Sequence, residues 1–576
     1  MRSSRKSAFR VISVLFCCFF IASCGNSQLS SLSLSVPGKS YSLVALNKAA
    51  RNGVLFESEK AAYMYYGFSD EQELSFLLAD KSHPLSLKLS LATDSKTTVT
   101  AAFLYDTDFD GAGLKQGTLS KRPVAVTQVT SDRQTELLFA LPADSNSSVK
   151  GFLIQSNGPV VLVAAELVSP RLGFVMEDTS LMTGFGPDGG SWQSGSSIPN
   201  SFNFSQAVAW DDVSDGGYIY VHFRNNEADA GSNGNAGTVT FSAGTTEFTC
   251  RRTKDEHQIT TVYAGRLQNN GALISVKENA EMVTGIEYVM IPKASSAPII
   301  TDPGCIIDWP ARQWRNSEYE YFAWDMFPSI LFFDTRDYSV QDDLFKRLAF
   351  FAEKEGWRGT LAPDEAIAGQ HGYNAHDYRA ETLAAFFDKA EREQFPLNRL
   401  ERELCAILTE NGIIRKTDGG YSEGEGAIIS ISQESARYLR SQLLSHETFH
   451  GLYFTTEAFR DKVAEVRSTT DKKSLDFIYG YFESQPTLGY DPSDEYLMQN
   501  EFMAYVLQLG VGSVPSYFAE NLAWRGSVMQ AMPELSAYIR ETNASGIVAA
   551  ARKLDDFVFD TWSMNAGRPW IVSMGY

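Results

Sequence analysis

The first part of the chain contains short segments in which apolar and polar residues alternate. Residues 85–91 alternate strictly, and residues 98–105 alternate before they become apolar. Residues 160–165 form a continuous apolar run after a Gly-Pro turn signal. Alternation with a period of two and short β-branched runs are both typical of strands. We find no convincing helical pattern here, so the sequence predicts an all-β, sandwich-like domain over residues 37–169.

The strand pattern continues to about residue 298. Residues 218–223 and 238–241 are apolar, β-branched or aromatic runs, and loops rich in Gly, Ser and Asn separate them. We interpret residues 170–298 as a second β domain, with a continuation of the first domain as the alternative.

Residues 293–304 are interpreted as a linker, and after about residue 305 the pattern changes, as apolar residues begin to recur at helical spacing. Short apolar runs at residues 329–333 and 427–432 still predict strands. The predicted helices cover residues 340–355, 378–392, 397–409, 434–453, 457–466 and 494–509, the last with Ser493 as its N-cap. Residues 299–576 are therefore expected to form an α+β, mainly helical domain, which makes the chain multidomain.

The N-terminus resembles a leader sequence. A basic stretch precedes a short apolar stretch, and Ile21-Ala22-Ser23-Cys24 follows. This order resembles a bacterial lipobox, which implies removal of residues 1–23, acylation of Cys24 and a tether over residues 24–36. An ordinary secretory leader is the alternative. We expect a lipid-anchored, extracytoplasmic protein of the bacterial cell envelope.

The net charge bears on which partners the chain can bind, and the cysteine positions bear on disulfides and metal sites. The net charge of −20 argues against nucleic acid as a partner. Beyond the leader and Cys24, the cysteines are Cys250, Cys305 and Cys405, whose wide spacing fits no CxxC metal site. A disulfide between Cys250 and Cys305 and isolated buried thiols remain the two alternatives.

The segment His446-Glu447-Thr448-Phe449-His450 lies in a predicted helix. Its two histidines are four positions apart, which places both imidazoles on one helix face where they can bind one metal ion. Glu447, next to the first histidine, can accept a proton from a metal-activated water. Two exposed helix histidines beside a solvated glutamate are the structural alternative.

A catalytic zinc ion usually has three protein ligands, and no histidine follows His450. A carboxylate is therefore expected as the third ligand. The downstream glutamates considered are Glu457, Glu465, Glu483, Glu495 and Glu501. We favour Glu501, because it lies mid-helix among apolar neighbours, where an uncompensated carboxylate is costly. A salt bridge elsewhere in the fold is the alternative explanation.

Together with Asn500-Glu501-Phe502-Met503-Ala504, the histidine motif resembles the gluzincin class of zinc metallopeptidases. The resemblance covers about residues 425–510. It implies one zinc ion per chain, held by His446, His450 and Glu501, with Glu447 as the catalytic residue. It also implies that the predicted strand at 427–432 is an edge strand that binds extended substrate.

The resemblance is incomplete at one position. Many gluzincins have an aspartate four residues after the ligand glutamate, whereas this chain has Tyr505. Tyr505 and Asn500 are candidates for supporting a ligand or stabilising an oxyanion. Other candidates for the oxyanion role are Tyr490, His371 and His376, and for both histidines ordinary packing is favoured.

The sequence thus predicts a zinc peptidase that hydrolyses peptide bonds of an extracytoplasmic protein or peptide. Zinc would polarise the scissile carbonyl, and Glu447 would pass a proton from water to the leaving amine. The alternative is a surface-anchored binding or adhesion lipoprotein with a vestigial metal site.

Residues 106–111 begin like a calcium loop. The twelfth position of that loop is Gly117 rather than a glutamate, so the bidentate ligand is missing. We therefore favour a solvated acidic turn over a calcium site.

Overall fold

The computed structural model describes the C-terminal half of the chain almost completely and the N-terminal half in segments. The described residues are 33–36, 39–55, 62–79, 86–93, 95–110, 113–115, 125–129, 135–140, 148–168, 171–178, 181–185, 191–194, 201–203, 217–223, 237–243, 246–253, 258–263, 273–279, 282–290, 296–354, 356–485, 488 and 490–574. The leader, Cys24 and most of the tether predicted over residues 24–36 lie outside them.

The chain forms two compact units. The first lies within Met1–Ser197, Asn203–Tyr218 and Ile286–Ala297, and the second within Ile198–Phe202, Ile219–Gly285 and Pro298–Tyr576. β-Sheets occur in both, and the C-terminal region is mainly helical. The predicted domain boundaries stay predictions.

Strands dominate the chain up to residue 298. They are β1 (Ser33–Val36), β2 (Lys39–Ala45), β3 (Val54–Leu55), β4 (Ala62–Phe68), β5 (Ser86–Ala92), β6 (Thr97–Tyr105), β7 (Phe109–Asp110), β8 (Gly113–Leu114), β9 (Ala125–Val129), β10 (Thr135–Ala140), β11 (Val149–Ser156), β12 (Val160–Val168), β13 (Arg171–Asp178), β14 (Leu181–Phe185), β15 (Ser191–Ser194), β16 (Ser201–Asn203), β17 (Gly217–Phe223), β18 (Thr238–Ala243), β19 (Thr246–Arg251), β20 (Ile259–Tyr263), β21 (Leu273–Glu278) and β22 (Val283–Met290).

The main sheet of the first unit has the strand order β10-β5-β12-β1-β2-β4-β11-β6-β9. The segments that alternate in sequence are its strands β5 and β6, and the apolar run at 160–165 lies in β12. Alternate residues of β5 and β6 are buried in one hydrophobic core, which explains their period of two, and β12 adds to the same core. The core residues include Leu87, Leu89, Leu91, Val99, Val160 and Leu162.

The expectation that residues 37–169 contain no helix was wrong. Helices α1 (Lys48–Asn52) and α2 (Glu71–Ala79) lie there. Asn47 caps α1 by accepting a hydrogen bond from the amide of Ala50. In α2, Leu74 and Leu78 are four positions apart and both buried, a pattern too short to be recognised among the alternating runs.

The remaining strands belong to the second unit. They are β23 (Ile299–Thr301), β24 (Tyr319–Trp324), β25 (Ile330–Thr335), β26 (His376–Arg379), β27 (Ile414–Thr417), β28 (Gly420–Glu423), β29 (Ala427–Ser432) and β30 (Val572–Met574). Five of them form a mixed sheet in the order β23-β24-β25-β29-β26. Strands β24, β25 and β29 are buried along their whole length, because helices cover both faces of this sheet.

The helices of the second unit are α3 (Pro303–Ile306), α4 (Tyr338–Ala352), α5 (Asp364–Ile367), α6 (Ala380–Arg392), α7 (Arg399–Glu410), α8 (Arg437–Thr455), α9 (Glu457–Thr469), α10 (Lys472–Ser484), α11 (Glu495–Leu507), α12 (Gly526–Ala531), α13 (Pro533–Glu541) and α14 (Ser545–Trp562). The predicted helices from residue 340 onward are present with shifted ends. Ser493 is not the N-cap of α11; Asp494 is, because its carboxylate accepts from the amide of Leu497 at 3.1 Å.

Strand β30 closes a second sheet of this unit by pairing with β19, which lies far earlier in the chain. Arg251 at the end of β19 donates to the side chain of Asn565 at 2.7 Å. Cys250 in β19 and Cys305 in α3 are both buried, and no disulfide joins the described cysteines Cys250, Cys305 and Cys405. The alternative of buried thiols therefore describes Cys250 and Cys305, whereas Cys405 is half-buried.

Candidate metal centre

Helix α8 carries His446, Glu447 and His450 and rests directly on the five-stranded sheet. Gly451 makes this close approach sterically accessible, because a Cβ there would lie 3.0 Å from Ile429 Cδ1 and 3.1 Å from Ile330 Cγ2. The first turn of α8 is held by Arg440, whose guanidinium donates to both carboxylate oxygens of Asp334 at 2.7 and 2.5 Å. Both partners of this ion pair are buried, so the helix is fixed at the end that precedes the motif.

Helix α11 packs against α8 and places Glu501 opposite the two histidines. Glu501 Oε2 lies 3.6 Å from His446 Nε2, and Glu501 Oε1 lies 3.7 Å from His450 Nε2. The donor atoms of the three residues all lie within 4.8 Å of one another, and all three residues are buried. The structure therefore brings together the three residues that the sequence analysis selected as ligands.

These three residues fit a divalent metal ion. Ligand atoms about 2.0–2.2 Å from a tetrahedral zinc ion lie roughly 3.3–3.6 Å apart, close to the two histidine–glutamate separations. His450 Nε2 and Glu501 Oε2 are buried and have no hydrogen-bond partner within the described part of the chain. Buried polar atoms without partners are costly, and a shared ion would satisfy both.

A second group of acidic side chains lies beside this triad. Donor atoms of Asp377, Glu447 and His450 also lie within 4.8 Å of one another. Burial raises the pKa of Glu447 well above its usual value, and the carboxylates of Asp377, Glu501 and Glu353 raise it further. Glu447 therefore lies in a negatively charged surrounding that favours its protonated form.

The pKa values of Glu501 and His450 are shifted toward the charged form of each group, unlike the pKa of Glu447. Burial alone would raise the pKa of Glu501, but His450 and His446 outweigh it and lower that pKa. Burial likewise acts to lower the pKa of His450, yet Asp377 and Glu501 overcome it, so the pKa is raised. These shifts have the signs expected when a carboxylate and an imidazole lie next to each other.

Two tyrosines border the site. The Tyr505 ring meets the His446 ring edge-on, with centroids 5.1 Å apart. His446 Nδ1 has no hydrogen-bond partner among the residues described, so this contact is between rings rather than through the phenol. Tyr490 is close enough to Glu501 to lower the pKa of that carboxyl by a hydrogen bond. Asn500 is buried and acts on His450, whose pKa it raises.

The edge strand of the sheet is not the one expected. Ala427–Ser432 pairs with β25 on one side and with β26 on the other, so the predicted edge strand at 427–432 lies inside the sheet and that expectation was wrong. Strand β26 ends the sheet among the described strands and runs antiparallel to β29. It carries Asp377, which the sequence analysis did not select as a site residue.

The other candidates lie away from the centre. His376 faces the opposite side of the sheet, where Nδ1 lies 3.0 Å from Ser430 Oγ and the ring packs against Phe345. His371 is exposed and lies 2.9 Å from Asp342. Among the glutamates passed over, Glu495 is exposed and forms an ion pair with Arg467 at 3.0 Å.

The described part of the acidic turn, residues 106–110, uses two of its carboxylates in local hydrogen bonds. Asp108 Oδ2 accepts from the amide of Tyr105 at 2.8 Å, and Asp106 Oδ1 accepts from the amide of Thr107 at 2.8 Å. These contacts are those of a turn held by its own side chains.

No protein-family model and no curated protein matches this chain. In the described part of the chain, no helix combines the length and the apolar character needed to cross a bilayer.

Proposed function

We propose that this protein is a zinc-dependent peptidase of the gluzincin type, which hydrolyses peptide bonds of an extracytoplasmic protein or peptide. The observation that supports it most is the convergence of His446, His450 and Glu501 from two helices, with buried donor atoms 3.6 and 3.7 Å apart across each histidine–glutamate pair. Two imidazoles and one carboxylate are the donor set of many catalytic zinc sites.

The chemistry divides between the ion and the chain. Zinc, when bound, supplies a Lewis acid that polarises a carbonyl and lowers the pKa of water. Glu447 then accepts the proton of the attacking water and returns it to the leaving amine. A bound zinc ion would act against the neighbouring carboxylates that raise the pKa of Glu447, because its positive charge favours the ionised carboxylate that accepts this proton.

A peptide substrate is supported by the position of β26. This strand borders the metal centre through Asp377, and its outer edge has no partner strand among the described residues. An extended peptide can pair with such an edge through main-chain hydrogen bonds, which places a peptide bond beside the centre.

The envelope location is a proposal from the leader sequence. The lipobox-like segment ending at Cys24 supports a lipid anchor outside the cytoplasm, where an exported peptidase meets protein or peptide substrates.

The experiment is a comparison of zinc content and proteolysis in the purified protein and two variants. We expect about one zinc ion per chain and cleavage of an unfolded protein substrate such as casein. His450→Ala should lose both zinc and cleavage, whereas Glu447→Gln should keep zinc and lose cleavage. A protein that binds no zinc after reconstitution would contradict the proposal and favour a binding lipoprotein with a vestigial site.

A further inference from the structure

The second ring nitrogen of His450 has a specific neighbour that the proposed chemistry does not use. His450 Nε2 faces Glu501, whereas Nδ1, on the other side of the ring, lies 3.6 Å from Asp377 Oδ2. Nδ1 is buried and makes no hydrogen bond to any of the described residues. A neutral imidazole that gives the Nε2 lone pair to a metal must carry its proton on Nδ1, and a buried N–H needs an acceptor.

The backbone brings Asp377 to this position independently of α8. In β26, successive side chains point to opposite faces, so His376 and Tyr378 are buried on one face and Asp377 lies on the other. Asp377 pairs in register with Ile429, the residue against which Gly451 packs. The close contact at Gly451 therefore also sets the separation between His450, one residue earlier, and the strand that carries Asp377.

We propose that Asp377 is a positioning residue, whose carboxylate accepts the Nδ1 proton of His450 and fixes the tautomer and orientation in which Nε2 faces the metal. This inference rests on the proposed function, because it requires that the centre holds zinc. A carboxylate that accepts a hydrogen bond from one ring nitrogen of a metal-binding histidine holds the ring in place. It also makes the second ring nitrogen, which binds the metal, a stronger ligand. Asp377 comes from the sheet, whereas the ligands come from α8 and α11.

The test is the zinc affinity of the full chain, measured by competition with a chromophoric chelator. Asp377→Ala should bind zinc about 10–100-fold more weakly than the unmodified protein, because the acceptor is removed. Asp377→Asn should lose less affinity, since its amide oxygen still accepts the Nδ1 proton. Glu381→Gln is the matched control, because Glu381 is an exposed carboxylate shortly after the same strand, and its affinity should be unchanged.

Replacing zinc with cobalt shows whether Asp377→Ala changes the geometry of the metal ligands or only lowers the stability of the protein. The visible absorption of bound Co²⁺ reports the ligand geometry, and it should shift in Asp377→Ala but not in Glu381→Gln. If Asp377→Ala does not fold, the affinity of Asp377→Asn decides: a loss supports the inference, and an unchanged affinity overturns it. Unchanged affinity and an unchanged cobalt spectrum in Asp377→Ala also overturn it, while the proposed peptidase stands. Absence of zinc binding in the unmodified protein overturns both.

Discussion

Gly451 lies against Ile429 so closely that a Cβ on the glycine would be 3.0 Å from Cδ1 of the isoleucine. Contacts this short are tighter than side chains normally make, so a residue larger than glycine would force the isoleucines or helix α8 to shift. His450 precedes Gly451, and the geometry of the candidate metal centre therefore depends on packing one residue away.

The first prediction concerns this contact. Gly451→Val should lower the free energy of unfolding by about 1–3 kcal/mol, because extra methyl groups overpack a close interface. It should also weaken zinc binding by displacing His450. Denaturant unfolding and chelator competition measure the two effects. Gly526→Val is the control, since a Cβ there meets no atom within 4 Å; equal effects in both variants would contradict the packing argument.

The second prediction tests the choice of third ligand. Glu501→Gln should lose most of its zinc affinity, because one of the three protein ligands no longer carries a charge. Glu495→Gln, in the same helix but exposed and paired with Arg467, should bind zinc like the unmodified protein. Metal analysis after dialysis gives the result. Full zinc content in Glu501→Gln would show that another group completes the site.

The third prediction concerns removal of the metal. A ligand that binds only the folded state stabilises it, by about 4 kcal/mol when its concentration is 1,000 times its Kd. Chelation should therefore lower the thermal midpoint of the unmodified protein. His446→Ala should show the lower midpoint already and should not respond to the chelator. A midpoint that chelation leaves unchanged in the unmodified protein would argue that no ion is bound there.

The fourth prediction concerns the ion pair that holds the start of α8. Asp334→Ala leaves the guanidinium of Arg440 buried without its carboxylate, so we expect a loss of about 3–5 kcal/mol in unfolding free energy. The double variant with Arg440→Met should recover part of the loss, because it also removes the charge. Asp476→Ala, which breaks an exposed pair with Lys472, should cost at most about 0.5 kcal/mol.

The fifth prediction is a pH dependence that involves His376. Burial lowers the pKa of His376 to about 3, against 6.5 in an unfolded chain. Between pH 6.5 and about 3, His376 is protonated in the unfolded state and neutral in the folded state. The contribution of His376 to the free energy of unfolding should therefore fall by about 1.4 kcal/mol per pH unit as the pH drops from 6.5 toward 3. Unfolding measured across this range should show a smaller slope in His376→Gln; equal slopes would contradict the assignment.

The motif helix and the three residues that meet at the candidate metal centre could be predicted, because each has a local signal. The spacing of His446 and His450 defines one helix face, and Glu501 is conspicuous as an acid among apolar neighbours. Strand order is different, because it depends on pairing between distant segments. Residues 427–432 have the composition of a strand, but nothing local shows that both of its edges are paired.

Asp377 was missed for a related reason. Residues 376–379 are His-Asp-Tyr-Arg, which lack the apolar alternation of a strand, and the helical pattern that follows was extended over part of them. Their strand conformation comes from pairing with β29, an interaction that local propensity does not encode. The contact with His450 arises only when the sheet and α8 pack together.

The sheet that contains β19 and β30 can be completed only after almost the whole chain has been synthesised. Arg251 and Ser563, which are bonded to each other, are 312 positions apart in the chain. During synthesis β19 is made long before β30, and until β30 arrives one edge of β19 has no strand to cover it. A ribosome that stops before residue 572 therefore releases a chain with an uncovered strand edge, which is open to pairing with other chains.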